Sequence, residues 1–433
     1  MRAGKSSRLY ADPPTAGSSM PKSRAALPSD LVEPSSAPAR KARDAGSSAP
    51  NPSSQPHGVD SQLKRADRRS YKRKCLILLA ALLVLCAVSL PLGASTKALY
   101  GFDQVLLAFR LWVQTTFDAI ASGAQHSSRD LLEICPGYYQ ILARFAITGI
   151  GVACGAMIAL SGALYQMVFR NPIAAPTMLG VGNGITLGVV VLVVVFGAAA
   201  PYMVGMRYLF CYIGAIAVLA IVVALAMALG RGHVVVVDML LVGTVVSALV
   251  GQIVIFYAYS VFDEDTWAVF NAINEMLDVS TEPLSLVVLA ISFAVSVVPV
   301  LLLRFKLNVV AFDEADMRLS GVDPTRLRFI ALACGTVMII SAQVQLGTIA
   351  MVALVAPYVA RSVFGAEFTK QFWGAALIGA LLVVACNDVT ALAEILVYSH
   401  DIYLDFPIGL AANIVCLPLF AWVIAAQNRA WEQ

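Results

Sequence analysis

The sequence predicts an all-α polytopic membrane protein with about ten transmembrane helices. Hydrophobic residues make up 59% of the 433 residues and charged residues only 13%, and the mean hydropathy is +0.78. A hydrocarbon core of about 30 Å requires about 20 apolar residues for each helical crossing. Ten runs of this kind recur between Cys75 and Ala426. The chain is therefore expected to be solvated mainly by lipid.

Each of the ten predicted crossings is a long apolar run that is flanked by polar residues, glycine or proline. They cover approximately residues 75–95, 141–169, 179–199, 208–229, 236–260, 284–303, 327–342, 349–364, 372–393 and 409–427. Glycines at 149, 151, 155 and 162 in the second crossing are expected to permit close helix packing, with a hinge as the alternative.

The distribution of Lys and Arg orients the predicted bundle, because short basic loops remain in the cytoplasm. Of the 30 Lys and Arg residues, 15 precede Cys75. The loops that follow even-numbered crossings are also basic, whereas residues 261–282 are acidic. We expect a multi-pass protein of the cytoplasmic membrane with both termini in the cytoplasm.

Residues 1–74 form a predicted disordered, basic cytoplasmic tail, and residues 75–433 form the transmembrane domain. The tail is rich in Ser, Pro and Ala and has too few large apolar residues to offset its ordering entropy. It serves either to orient the chain or to bind anionic membrane lipid through a basic cluster. A nucleic-acid partner is not expected. The cluster comprises Lys64, Arg65, Arg68, Arg69, Lys72, Arg73 and Lys74.

A polar break at residues 169–183 separates the second and third predicted crossings. Its sequence, FRNPIAAPTMLGVGN, contains Arg170, Asn171, Pro172 and Pro176. Because proline lacks a backbone donor and unpaired backbone groups are costly in lipid, this segment must lie in water or against protein.

No catalytic residues, metal site or cofactor are predicted for the chain itself. The four histidines share no metal-ligand spacing. A phosphate-binding G-x-x-x-x-G-K-[ST] loop is absent from the sequence, so ATP-driven work would require a partner polypeptide. Asp388, inside the ninth crossing, is either a pathway or proton-transfer group or a carboxylate that pairs with a polar neighbour.

The residues from Gly155 to Gly184 resemble the membrane subunits of type II ABC importers that take up ferric siderophores, haem or cobalamin. The similarity covers a Ser-Gly helix, a glutamine, an Asn-Pro-x-Ala-x-Pro loop and a Leu-Gly-Val re-entry. It implies the fold of that family, with a pathway or conformational role for the break. The matching positions include Ser161, Gly162, Gln166, Arg170, Asn171, Pro172, Ala174, Pro176, Leu179, Gly180, Val181 and Gly184.

A second similar block, Leu307–Val322, is the candidate loop for coupling to an ATPase. In the family this segment forms short helices that dock into the ATP-binding cassette subunit. The alternative is a solvated amphipathic surface helix. The residues assigned to this role by the resemblance are Leu307, Asn308, Asp313, Glu314, Arg318 and Gly321.

The resemblance also implies partners. These are two ATPases that use ATP and Mg²⁺, a second permease subunit in a homodimer or heterodimer, and a substrate-binding lipoprotein. Arg129, Arg144 and Arg207 are the candidates for docking the lipoprotein. Ser247 and Gln252 are candidates for lining the pathway, together with Asp388.

The function expected from these features is import of an iron chelate, with a ferric siderophore favoured over haem or cobalamin. Such a permease performs no bond chemistry and is not an enzyme. Two other classes are alternatives. One is an ion-coupled secondary transporter that uses Asp388, and the other is a membrane scaffold or sensor whose tail recruits partners.

Overall fold

A computed structural model describes residues 57–92, 99–122, 128–197, 204–230, 236–260, 282–311, 314–365, 367–398 and 406–431. Thirteen α-helices lie within these ranges. They are α1 His57–Ser89, α2 Phe102–Ser122, α3 Ser128–Ile134, α4 Tyr138–Val168, α5 Val181–Phe196, α6 Val204–Leu229, α7 Val236–Ser260, α8 Pro283–Leu307, α9 Glu314–Leu319, α10 Pro324–Leu346, α11 Met351–Phe364, α12 Phe368–Tyr398 and α13 Ile408–Trp431.

The all-α membrane fold predicted from the sequence is confirmed. Each of the ten apolar runs coincides with a helix, namely α1, α4 to α8 and α10 to α13. In the described part of the chain, six helices are long and apolar enough to cross a membrane, and three shorter apolar helices accompany them. Their exposed surfaces carry large aliphatic and aromatic side chains, as lipid-facing helices do.

The centre of the bundle is α4, which packs against α10, α11 and α12. Glycines allow these backbones to approach closely, because a Cβ at Gly162 would overlap the carbonyl oxygen of Ala353 on α11. A Cβ at Gly155 would likewise meet the backbone of Gly379 on α12. The predicted packing role is therefore seen at these two glycines. Gly149 has no atom within 4 Å of its Cβ position and takes no part in it.

A second group of helices comprises α5, α6 and α7. Gly184 and Gly188 on α5 face Gly214 on α6, and a Cβ at any of the three would overlap the backbone of the opposing helix. Small residues of this kind bring two helices into backbone contact, which is the usual basis of helix association in lipid.

Two regions differ from the sequence prediction. Helix α1 begins at His57 rather than near Cys75, so residues 57–74 are helical and the boundary predicted at 74 is not a structural one. This stretch contains no proline and is rich in Lys and Arg, which have high helix propensity, and it continues directly into an apolar helix. The rest of the predicted tail, residues 1–56, lies outside the described residues.

Helix α2 was not predicted. Asp103, Arg110 and Asp118 interrupt its apolar residues, so it lacks a 20-residue apolar run. It packs on α4 through Val105 and Ala108.

Candidate functional site

The chain turns sharply where α4 ends and the 169–183 break begins. Arg170 has a φ of 49°, a left-handed conformation that residues with a side chain rarely adopt. Asn171 stabilises the following turn, because its Oδ1 accepts a hydrogen bond from Ile173 N at 3.1 Å. Asn171 N donates to Gln166 O at 3.1 Å. Residues Arg170, Pro172 and Ile173 are exposed.

The second half of the break is buried against protein, which is one of the two placements that the sequence allowed. Pro176 begins a 3₁₀ turn that ends at Leu179, and Gly180 follows with a φ of 79°. A Cβ at Gly180 would lie 2.8 Å from Val218 Cγ1 on α6 and 3.7 Å from Ser247 Cα on α7. The structure therefore brings Gly180 of the break next to Ser247, which was predicted separately as a pathway residue.

Helix α7 is held to the re-entering chain by a polar contact. Asn183 Nδ2 donates to Ser247 O at 2.6 Å and to Ser247 Oγ at 2.8 Å. Ser247 is half-buried, whereas Gln252 is exposed on a face of α7 that also presents Val245, Leu249 and Phe256. Gln252 is thus a polar group on an apolar helix surface.

Gln166 lies inside the bundle just before the break. Its side chain is fully buried, and Nε2 donates to Leu354 O of α11 at 3.1 Å. Its Oε1 is buried without a hydrogen-bond partner. This contact fixes the end of α4 against α11 and so positions the backbone where the break begins.

The 307–322 segment forms a short helix with a buried anchor and an exposed end. Leu307 and Met317 are buried, whereas Arg318, Leu319 and Gly321 are exposed, with Leu319 at 86%. Asp313 and the side chain of Glu314 lie outside the described residues.

The end of α9 is closed by backbone hydrogen bonds. Gly321 N donates to Arg318 O at 3.0 Å, and Val322 N donates to Met317 O at 3.1 Å. Gly321 has a φ of 72°, as the residue after a helix C-terminus does in this pattern. Asp323 Oδ1 then caps α10 by accepting from Thr325 N and Arg326 N. These bonds give the exposed residues a defined conformation.

Asn308 joins the 307–322 segment to α12. Its Nδ2 donates to Thr369 Oγ1 at 2.9 Å, and its Oδ1 accepts from Thr369 N at 3.3 Å. Because Thr369 is the second residue of α12, the side chain of Asn308 satisfies an N–H that has no partner within that helix. A shift of the segment would therefore act directly on the start of α12.

Asp388 lies in a buried polar cluster between α1, α4 and α12. Its Oδ1 accepts from Arg144 Nη2 at 2.7 Å and from Ser89 Oγ at 2.6 Å. Arg144 Nε also donates to Ser89 O at 3.3 Å. With its amide oxygen turned toward the guanidinium, Asn387 accepts from Arg144 at 3.2 Å. Of the two alternatives for Asp388, this geometry matches the paired carboxylate.

The prediction that Arg144 docks a binding protein does not fit the structure, because its side chain is buried and paired within the bundle. The same correction applies to Arg207, which is 1% exposed at the beginning of α6. Its Nε and Nη2 are buried without hydrogen-bond partners. The side chain of Arg129 lies outside the described residues, so its docking role stays a prediction.

Two functional features were missed by sequence reasoning. Ser89 was assigned only to an apolar run, although a hydroxyl near the end of α1 was a signal for a polar helix contact. The contact of Asn308 with Thr369 joins residues 61 positions apart in the chain, and no local pattern indicates it.

These elements define a polytopic membrane permease. Close-packed helices hold the buried half of a proline-containing break, and a short helix with exposed residues at its end connects α8 to α10. The chain belongs to the FecCD transport family, whose family model matches residues 75–426.

Known relatives and a solved structure are consistent with this assignment. The chain is 28% identical over 275 residues to the "Probable iron chelatin transport system permease protein" of Helicobacter pylori, covering 64% of this chain and 78% of that protein. It is 28% identical over 287 residues to the "Hemin transport system permease protein HmuU" of Yersinia pestis, covering 65% and 81%. An inward-facing metal-chelate type ABC transporter has the same fold, with a TM-score of 0.61, 19% identity, and coverage of 82% of this chain and 99% of that one.

Proposed function

We propose that this chain is the permease subunit of an ABC importer that moves an iron chelate, with a ferric siderophore favoured, across the cytoplasmic membrane. ATP hydrolysis would occur in a separate ATP-binding cassette subunit that uses ATP and Mg²⁺. The observation that carries this proposal is the 307–322 segment, which presents Arg318, Leu319 and Gly321 on a short helix anchored by Met317.

An exposed leucine at a rigid helix end is suited to insertion into a groove of a partner. The burial of Met317 below it allows a force on α9 to reach the bundle, and the pair of hydrogen bonds between Asn308 and Thr369 extends this connection to α12. The segment would then be cytoplasmic, as the basic residues Arg304, Lys306, Arg326 and Arg328 around it also favour.

The transported substrate is inferred from the family and from the names of relatives for iron chelatin and hemin. Haem and cobalamin are the alternatives within the family. A second permease subunit would complete the pathway, with the 169–183 break, Ser247 and Gln252 as its candidate residues. A substrate-binding lipoprotein would deliver the chelate from outside.

The ion-coupled alternative depends on a titrating Asp388. Its hydrogen bonds to Arg144 and Ser89 use the carboxylate for helix packing, which favours the ABC importer. The scaffold alternative predicts that removing the tail abolishes function while changes in the 307–322 segment have no effect.

The test is uptake by membrane vesicles that contain the chain and its copurifying partners. A variant with Glu314→Gln and Gly321→Asn should hydrolyse ATP without accumulating chelate. Because asparagine tolerates the left-handed backbone at position 321 better than other residues with a side chain, the yield and thermal unfolding of the purified chain should stay close to those of wild type. Transport by this variant at the wild-type rate would refute the coupling assignment. Uptake without ATP would favour the ion-coupled class. The absorption spectrum of chelate bound to the copurified assembly would distinguish iron from cobalt.

A further inference from the structure

The amino-terminal part of α1 carries an unexplained basic surface. Arg68, Arg69, Lys72 and Arg73 are all exposed, and none of them forms an ion pair with the residues that the structure describes. Their spacing of one, three and one residues places them along one side of a helix. We call these four residues the basic face.

The basic face is continuous with an apolar, exposed helix surface. Within the same helix, Leu76, Ile77 and Leu83 are 66%, 56% and 62% exposed. Exposed aliphatic side chains of this kind require lipid around them, so the basic face lies where α1 leaves the hydrocarbon. Anionic headgroups are concentrated at this level, and juxtamembrane Lys and Arg residues attract them.

The other side of the same helix contacts the end of α11 and the first turn of α12. Asp67 forms an ion pair with Lys370, with 2.7 Å between Oδ2 and Nζ. The rings of Tyr71 and Phe364 meet edge to face at 5.5 Å between centroids. Lys74 Nζ donates to Val363 O at 2.7 Å, at the carboxyl end of α11.

The first turn of α12 also contacts the 307–322 segment. Thr369, which exchanges two hydrogen bonds with Asn308, immediately precedes Lys370. The route from the basic face to the segment therefore consists of α1, the Asp67–Lys370 pair and the Thr369–Asn308 pair. Both pairs act on the first turn of α12.

We propose that the basic face binds anionic phospholipid headgroups, and that its occupancy adjusts the 307–322 segment through Lys370 and Thr369. The second part rests on the proposed function, because it takes that segment as the ATPase contact. Phospholipid is the partner that fits the position, because the four charges lie directly beside the lipid-exposed part of α1. Binding would fix α1 against the membrane surface, and Asp67 would then restrain the turn.

Lipid binding is measured first, by native mass spectrometry of the full chain in detergent with phosphatidylglycerol or phosphatidylcholine. The variant Arg68→Gln/Arg69→Gln/Lys72→Gln/Arg73→Gln should lose phosphatidylglycerol affinity, since each basic residue contributes about fivefold near an anionic surface. The control Arg110→Gln removes an exposed charge on α2 and should bind normally. Soluble glycerol phosphate should not displace the lipid.

Equal phosphatidylglycerol binding by wild type and the fourfold variant would overturn the surface assignment. Displacement by glycerol phosphate would overturn the choice of lipid as the ligand. Loss of copurifying ATPase from the fourfold variant, with lipid binding intact, would show an acidic protein partner and overturn the proposal as well.

The effect of lipid binding on the 307–322 segment is measured as the ATP hydrolysis rate of the assembled transporter. The transporter is placed in phosphatidylcholine vesicles with and without phosphatidylglycerol. Wild type should change its ATP hydrolysis rate with phosphatidylglycerol. The fourfold variant should not, and neither should Lys370→Met, which keeps the basic face but breaks the pair with Asp67. A lipid response by Lys370→Met equal to that of wild type would overturn the transmission route. Failure of wild type to copurify any ATPase would refute the proposed function, whereas the lipid binding of the chain alone would still be decided by the first experiment.

Discussion

Arg144 Nη2 and Asp388 Oδ1 lie 2.7 Å apart, although the two residues are separated by 244 positions in the chain. Both side chains are buried, at 4% and 10% exposure. Ser89, the last residue of α1, joins the pair because its hydroxyl donates to Asp388 and its carbonyl oxygen accepts from Arg144. The amino-terminal helix is therefore fastened to the bundle by charge and hydrogen bonding as well as by apolar packing.

Removing one member of this pair should be strongly destabilising. Asp388→Asn leaves the Arg144 guanidinium buried without a counter-charge, which costs about 3–5 kcal/mol. The combined variant Arg144→Met/Asp388→Asn removes both charges and should recover most of that loss. Thermal unfolding of the four proteins of the double-mutant cycle in detergent measures the coupling. Additive effects of the two single changes would show that the residues do not interact.

Gly162→Ala should disrupt the packing of α4 against α11. The added methyl group would overlap the Ala353 carbonyl oxygen, and the backbone cannot yield as a flexible side chain does, so we expect a loss of roughly 3 kcal/mol. Gly149→Ala is the matched control on the same helix, because its Cβ position has no neighbour within 4 Å. Unfolding temperatures of the two variants should differ clearly. Similar stability would contradict the close approach of the helices.

Leu319→Asp should uncouple transport from ATP hydrolysis. Leu319 is 86% exposed, so a charge there costs the isolated chain little but is unfavourable in an apolar groove of a partner. The control Leu319→Met retains an apolar side chain of similar size and should behave as wild type. The measurement is chelate uptake per ATP hydrolysed, with the yield of purified chain as a check on folding. Normal coupling in Leu319→Asp would exclude this residue from the contact.

Asn171→Ala should weaken the turn in the 169–183 break. It removes the acceptor for Ile173 N, and a hydrogen bond of this kind contributes about 1 kcal/mol. Asn171→Asp preserves an acceptor at the same position and serves as the control. We expect slower uptake for Asn171→Ala than for Asn171→Asp at equal expression. Combining Asn171→Ala with Pro172→Ala should impair uptake further, and wild-type rates for this pair would remove the break from the mechanism.

Cys135 should react slowly with iodoacetamide in the folded protein. It lies between α3 and α4 and is 1% exposed, and burial raises the pKa of its thiol. Because the thiolate is the reactive form, the labelling rate of the folded chain should increase at higher pH than that of the unfolded chain. Peptide-level mass spectrometry reports the modification of this residue, with the unfolded chain as the control. Identical pH profiles would contradict the burial.

The fold was predictable from the sequence because long apolar runs in lipid allow only helices. Pro172 and Pro176 likewise indicated where the chain must leave the helical conformation. Helix α2 was not predictable by this criterion, since its charged residues interrupt the apolar pattern and its position depends on packing against α4. The helical start of α1 at His57 was obscured by a composition that is typical of both exposed helices and disordered tails.

The candidate site was predictable only in its local parts. The 307–322 segment and the break are contiguous in sequence, so their residue patterns were sufficient to single them out. The Arg144–Asp388 pair joins distant residues. The sequence allowed a paired carboxylate at Asp388 but did not indicate its partner, and it suggested a docking role for Arg144. Burial argues against the docking role of Arg144, because a charged side chain inside a bundle pairs with a buried partner and is not accessible to an external protein.

Helix α12 has a mechanical consequence for the transporter as a whole. It is 31 residues long, Asn308 holds its first turn, and the Arg144 pair holds it at Asp388, about 28 Å further along at 1.5 Å per residue. Because α12 is bound by side chains at these two points, a movement of one end would also move the other. If the 307–322 segment is the ATPase contact, a tilt imposed at the start of α12 would reach α1 and α4 through the contacts of Asp388 with Ser89 and Arg144.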